Sequence, residues 1–227
     1  MPWSVDNIYA YTKFLTNKNQ AGGISATDLF SAWNGEQAML HQDLVGRWQK
    51  QNNTKTGVMS GLIEDEVTIS ALSPFIVPLT GQPIAGGIAN KPSDYIYGVA
   101  LRINGTKVFS VSHDMIWAVN DDVIDPPSIL DDAYYYTEYL NYFSFLPAAV
   151  TAFDLDYVAE TTDIVWGFTL DANNRQVYNP ASGASVQPKW NKNTVIEITR
   201  RTLKSFGLHF DSREFENFGE SNIQTGD

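Results

Sequence analysis

The most informative absences in this sequence of 227 residues are those of cysteine and of long apolar runs. Without Cys, the chain has no disulfides, no thiolate nucleophile and no Cys-ligated metal. No apolar stretch approaches the roughly 20 residues that a membrane-spanning helix needs, and we expect no signal peptide at Met1. We therefore expect a protein that has no disulfides and makes no contact with membranes.

Histidine is also scarce, which limits the catalytic arrangements open to the chain. No two of His41, His113 and His209 stand at the i, i+4 spacing of a helical zinc pair. Ser112-His113-Asp114 has the letters of a hydrolase triad, but adjacent residues of a strand point to opposite faces. The sequence also lacks a nucleophile elbow, a Walker loop and a dinucleotide fingerprint. We expect no catalytic residue, no cofactor and no metal, so the enzyme class is disfavoured.

Basic residues are outnumbered, with 15 Lys and Arg against 26 Asp and Glu and a formal charge of −11. Residues 101–188 contain 12 acids and 3 bases, whereas residues 1–50 and 189–227 are neutral. An acidic surface repels phosphate, which excludes a generic nucleic-acid binder. Carboxylates also bind Ca²⁺, but the calcium-like loop at Asp171 lacks the Gly at its sixth position and the closing Glu. Asp beside Pro is ordinary loop chemistry, and we expect no calcium site.

Helical periodicity marks both ends of the chain. Apolar residues after Ser4 recur at helical spacing and predict a first helix that ends before Gly22. Ser25, with Asp28 three residues later, resembles a capping box and begins a second helix, which Asn34-Gly35 interrupts. Thr194-x-x-Glu197 predicts the start of a last helix that Gly207 stops.

The centre of the chain has β character. Two β-rich runs, Tyr95–Ile103 and Thr106–Ser112, flank Asn104-Gly105 and predict a hairpin with a type I′ turn. We predict one α+β domain over residues 1–227, with helices at both ends around a mainly antiparallel β region. Its three parts are residues 1–50 (helical), 58–170 (β-rich) and 191–218 (helical).

Aromatic residues are numerous, with 6 Trp and 11 Tyr, and many of the Tyr cluster. Tyr134-Tyr135-Tyr136, with Tyr139 and Tyr142, predicts a surface that contacts either a neighbouring protein or a sugar. We favour protein contact, because Tyr and Trp are enriched where proteins meet.

Short motifs are spread over nearly the whole chain. They are Asn17-Lys18-Asn19-Gln20-Ala21-Gly22-Gly23-Ile24-Ser25, Asp28-Leu29-Phe30, Gln37, Tyr139-Leu140-Asn141-Tyr142-Phe143-Ser144-Phe145-Leu146-Pro147, Trp166-Gly167-Phe168-Thr169, Tyr178-Asn179-Pro180, Trp190, Glu197-Ile198, Arg201, Leu203, Gly207, Glu214 and Phe218. Taken together, they resemble structural proteins from the virions of crAss-like tailed phages.

This resemblance implies a ring protein of the head–tail connector or tail barrel, located in the virion and made in the host cytoplasm. It implies no catalytic residue and no cofactor. Its partners would be copies of itself in a twelvefold ring, the portal or a neighbouring ring, and tail proteins. DNA would only pass through, without sequence-specific binding.

A ring assigns roles to two sets of residues. We expect the two long helices to contact neighbouring copies and the acidic loops to face the DNA channel, since a negative wall repels the duplex. The expected contact residues are Leu29, Trp33, Leu44, Trp48, Arg201 and Phe206, and the expected channel acids are Asp121, Asp122, Asp125, Asp131 and Asp132. The alternative is a monomeric module that binds or cleaves carbohydrate with its Tyr and Asp clusters.

Overall fold

The computed structural model describes residues 3–18, 24–54, 68–122, 126–181 and 184–208. It confirms the α+β class, with helices near both ends and mainly antiparallel sheets between them. Residues 68–72 are also helical and run into a 3-10 turn, Ser73–Phe75. In chain order the elements are α1 (Val5–Lys18), α2 (Ala26–Thr54), β1 (Ile76–Pro83), β2 (Ile88–Asn90), β3 (Tyr95–Ile103), β4 (Thr106–Lys107), β5 (Phe109–Ser110), α3 (Ile116–Asn120), β6 (Tyr135–Glu138), β7 (Tyr142–Leu146), β8 (Ala152–Ala159), β9 (Phe168–Leu170), β10 (Gln176–Tyr178) and α4 (Lys192–Ser205).

The chain forms two compact units, and the first is built from both of its ends. This helical unit takes in Met1–Pro74 and Thr161–Asp227, and the β unit takes in Phe75–Glu160. The single domain expected from the sequence stays a prediction. The two predicted helical parts belong to one unit.

Local capping signals fix where the helices begin. The Ser25 hydroxyl donates to the Asp28 carboxylate at 2.6 Å and accepts from the Asp28 backbone N–H at 3.1 Å, as the sequence predicted. The prediction for α4 was three residues late, because the cap is Asn191, whose side chain accepts from the Thr194 N–H at 2.9 Å. Glu197 instead accepts from Arg201 at 2.9 Å.

α2 is longer than the sequence predicted. It is one helix of 29 residues, continuous through Asn34-Gly35 and extending to Thr54. The expected interruption at Asn34 is absent because the side chain bonds outside the helix. Its amide group donates to the carbonyl of Ile164 at 3.1 Å and accepts from the N–H of Ile164 at 2.9 Å.

The β unit contains two four-stranded sheets, ordered β1-β8-β3-β4 and β2-β7-β6-β5. All strand pairs are antiparallel except β5 with β6. One buried cluster draws side chains from both sheets, among them Leu101 and Leu155 from the first and Phe143 and Phe145 from the second. The sheets therefore share a single core, as in a β-sandwich.

The predicted hairpin is confirmed at its turn but ends early. Asn104 and Gly105 have φ of 51° and 84°, as a type I′ turn requires. β4 then stops after two residues, because the chain changes sheets at Val108. The Val108 N–H still donates to Leu101 of the first sheet at 3.0 Å, whereas the Phe109 N–H donates to Tyr134 beside the second, also at 3.0 Å.

Candidate functional site

The expected contact residues of α2 lie inside the helical unit. Leu29 and Trp33 are 0% exposed, and Leu44 and Trp48 are 8% and 6% exposed. The Trp33 indole donates to the Thr199 hydroxyl of α4 at 3.2 Å. These four side chains pack within their own chain, because the apolar stripe of a long amphipathic helix is buried first by its own domain. Their role as contacts between copies stays a prediction.

The expected contact residues of α4 lie nearer the surface. Arg201 is half-buried in its pair with Glu197, and Phe206, just after the helix, is 39% exposed. Helical spacing puts Arg200 and Lys204 beside Arg201, on the side opposite Val195, Ile198, Thr199, Thr202 and Leu203, which are buried. We call Arg200, Arg201 and Lys204, together with the ion-paired Glu197 that lies among them, the basic face.

A buried polar network that the sequence analysis missed lies next to α4. Gln37, only 2% exposed, donates to the side-chain oxygen of Asn34 and to the carbonyl of Thr162, both at 3.1 Å. Its own carbonyl accepts from the Trp190 indole at 3.2 Å. The sequence signal was a pair of amides, Asn34 and Gln37, at i, i+3 spacing within the apolar stripe of α2. The network is structural, since it ties the segment after the β unit to α2.

The acids predicted to line a channel are exposed where the structure describes them. Asp121 and Asp122 follow α3, and Asp131 and Asp132 share the turn before β6. Asp125 lies outside the described residues. Within the described ranges, no three His, Asp or Glu side chains come together as a possible metal site.

Ser112, His113 and Asp114 do not form a relay. The Ser112 hydroxyl donates directly to the Asp114 carboxylate at 2.5 Å, and this bond lowers the pKa of Asp114. The His113 ring instead meets the Tyr139 ring edge-on, with centroids 4.3 Å apart. His209 lies outside the described residues. The geometry therefore contains no imidazole placed between the hydroxyl and the carboxylate.

The tyrosine cluster is mostly a packing feature. Tyr134 is 1% exposed and bonds to Asp132, while Tyr135 and Tyr136 are half-buried on β6. Burial raises the pKa of Tyr136. At the β6–β7 turn, Tyr139 and Tyr142 stack with centroids 4.6 Å apart and their planes inclined by 12°.

Several large apolar side chains of the β unit project into solvent. Leu130 is 95%, Leu140 89% and Trp117 73% exposed, and Phe109 and Met115 are each more than half exposed. Single exposed apolar residues are normal, but a Trp on the surface is typical of a contact site. Trp117 and Met115 lie close in sequence to three exposed acids, Asp114, Asp121 and Asp122, and we call these five residues the α3 surface.

Acidic and basic residues occupy separate stretches of the chain, and the separation is sharper than the counts for residues 101–188 indicate. From residue 108 to residue 174 there are 12 acids and no Lys or Arg. From residue 175 to residue 208 there are 6 bases and one acid, Glu197. The α3 surface belongs to the first stretch and the basic face to the second.

Comparison with known proteins gives no family. The chain matches no protein-family model, and no curated protein matches it. Among the helices of the described part, none combines the length and apolar character of a bilayer span.

Proposed function

We propose that this chain is a virion structural protein of a tailed phage. It forms a closed homo-oligomeric ring of twelve copies in the head–tail connector or tail barrel, and DNA passes through the ring during ejection. It is not an enzyme. The portal or a neighbouring ring and tail proteins are its other partners.

One observation carries the proposal furthest: large apolar side chains are held in solvent on an ordered β unit that is acidic. Leu130, Leu140 and Trp117 expose most of their surface. Water disfavours such exposure by about 25 cal/mol for each Å² of apolar area, so a partner that covers these residues gains free energy. The resemblance to crAss-like phage virion proteins implies that this partner is another copy of the chain or a neighbouring virion protein.

The charge of the β-rich region suits the wall of a DNA channel. Asp121, Asp122, Asp131 and Asp132 are exposed and are the described candidates for that wall. Carboxylates repel the phosphate backbone over a screened distance of about 8–10 Å at physiological salt, so the duplex would slide without binding. No base specificity is needed for that role.

The test is the mass of the purified protein by light scattering at rising concentrations, with negative-stain images of the same fractions. We expect a species of twelve chain masses and rings with a central hole. A protein that stays monomeric at every concentration, alone and with its portal, would overturn the proposal.

The alternative function is a monomeric module for carbohydrate, and one observation favours it. The parallel Tyr139–Tyr142 pair presents flat rings of the kind that stack on sugars. Glycan-array binding by the monomer, lost in Tyr139→Ala and Tyr142→Ala, would support this alternative. Retained binding in both variants would exclude the pair as the sugar platform.

A further inference from the structure

The α3 surface holds two exposed apolar side chains and three exposed acids within nine residues of sequence. Trp117 is 73% and Met115 52% exposed, and Asp114, Asp121 and Asp122 flank them. Trp is the residue type most often found to dominate the binding energy of an interface. Its area and its few side-chain torsions make it a strong anchor that loses little entropy on binding.

The surface is held in place by contacts with the second sheet. The Thr137 hydroxyl of β6 donates to the carbonyl of Val111 at 3.0 Å, and the Val111 N–H donates to Tyr136 at 2.8 Å. Two residues later, the His113 ring packs on Tyr139. A contact site that is already ordered loses less conformational freedom when a partner binds.

The chain itself carries a surface of complementary charge. The basic face has three bases, Arg200, Arg201 and Lys204, against one acid, Glu197, which pairs with Arg201. The 12 acids without a base in residues 108–174 oppose 6 bases with one acid in residues 175–208. Complementary potentials speed encounter and fix the register of two surfaces.

We propose that the α3 surface of one copy docks on the basic face of the next copy, with Trp117 as its central anchor. The two surfaces differ, so the contact is heterologous, the type that closes into a ring when the rotation per copy allows it. This inference rests on the proposed ring function and names the contact within it. It assigns Asp121 and Asp122 to the boundary between copies and leaves Asp131 and Asp132 for the channel wall.

The first experiment removes the anchor. Trp117→Ala is expected to weaken self-association by at least about thirtyfold, as a central hot spot does, while the thermal midpoint of the dissociated chain stays unchanged. Ile88→Ala is the matched control, because it also truncates an exposed apolar side chain of the β unit, and Ile88 belongs to neither surface. Equal effects of the two variants would overturn the assignment of Trp117.

The second experiment reverses the charges on each side. Asp121→Lys/Asp122→Lys and Arg200→Glu/Lys204→Glu are each expected to weaken assembly by at least tenfold in light scattering. The controls shift the net charge equally elsewhere: Asp43→Lys/Asp163→Lys for the acids and Lys189→Glu/Lys192→Glu for the bases. Circular dichroism of each variant confirms that its helices are intact. The wild-type assembly should also weaken as salt is raised.

Mixing the two reversed variants identifies the pair of surfaces. One reversed variant has two basic surfaces and the other has two acidic surfaces, so neither can pair with itself. In a mixture the two variants can alternate around a ring, and every contact then joins a basic surface to an acidic one. We expect assembly of the mixture and of the quadruple variant.

Three outcomes separate this inference from the proposed function. Wild-type rings that respond to the reversed variants no more than to the controls would overturn the contact and leave the ring standing. Rings that are lost in each variant but not restored by mixing would also overturn the pairing of these two surfaces. A wild type that never assembles would overturn the ring and the contact together.

Discussion

The buried amide of Gln37 gives the sharpest quantitative prediction for the fold. Substitution Gln37→Met keeps the length and volume of the side chain but removes all three of its hydrogen bonds, to Asn34, Thr162 and Trp190. Each such bond contributes about 0.5–1.5 kcal/mol net, and the Trp190 indole, 1% exposed, loses the acceptor it has in Gln37. Since Met fills the space, the cavity cost is small.

We therefore expect Gln37→Met to lower the free energy of unfolding by about 3 kcal/mol, a large part of the 5–15 kcal/mol typical of a domain. At this chain length the thermal midpoint should fall by roughly 6–12 °C. The assay is urea denaturation followed by Trp fluorescence, in a Trp117→Phe background so that the remaining five of the 6 Trp report on the helical unit.

Gln42→Met on the same helix is the matched control. Gln42 is exposed, so its substitution should change the free energy of unfolding by no more than about 0.5 kcal/mol. If Gln37→Met is as mild as Gln42→Met, the network does not tie residues 162–164 to α2, and the energetic reasoning is refuted.

Four further predictions test other parts of the structure. Gly46→Ala in α2, where an added Cβ meets nothing within 4 Å, should stabilise by about 0.5–1 kcal/mol, because Ala is the better helix former. Gly167→Ala should destabilise by more than about 2 kcal/mol, since its Cβ would lie closer to the backbone carbonyl of Ala184 than van der Waals contact allows. Chemical denaturation should therefore give changes of opposite sign for the two glycine variants. Asn191→Ala should lower the free energy of unfolding by about 1 kcal/mol, because it removes the N-cap of α4. An unchanged thermal midpoint would indicate that Thr194 is the cap instead. Burial and a hydrogen bond to Asp94 raise the pKa of Tyr157 to about 12, above its value of about 10 in the unfolded chain. The stabilising effect of neutral Tyr157 is therefore complete below pH ~10 and disappears as the pH rises through ~12. Urea titrations at several pH values should show this alkaline loss of stability in the wild type but not in Tyr157→Phe.

Two signals that act within a few residues gave correct predictions. The Ser25–Asp28 cap and the Asn104-Gly105 turn are decided by the backbone geometry and hydrogen bonds of neighbouring residues, so four letters suffice to predict them. The α+β class follows from the change of periodicity along the chain. α4 was predicted from Thr194, although Asn191, three residues earlier, competes for the same N–H and provides the cap.

The candidate site depended on what each side chain meets across long stretches of sequence. Trp33, Trp48 and Trp117 are the same type of residue, and from the sequence each could anchor either a core or an interface. Only packing separates them: the first two are buried in the helical unit, and Trp117 is 73% exposed. An amphipathic pattern shows which side of a helix is apolar, but not whether its own chain covers that side.

By itself, the sequence determined the α+β class, the Ser25 cap, the Asn104-Gly105 turn and the charge of each stretch, because these depend on neighbouring residues. The tertiary structure decided that both ends build one unit, through bonds such as Asn34 to Ile164 across 130 residues and Trp33 to Thr199 across 166. It also decided that the strand after the hairpin changes sheets at Val108. Such choices depend on burying one shared core, and no local stretch contains the information about which distant side chains complete it.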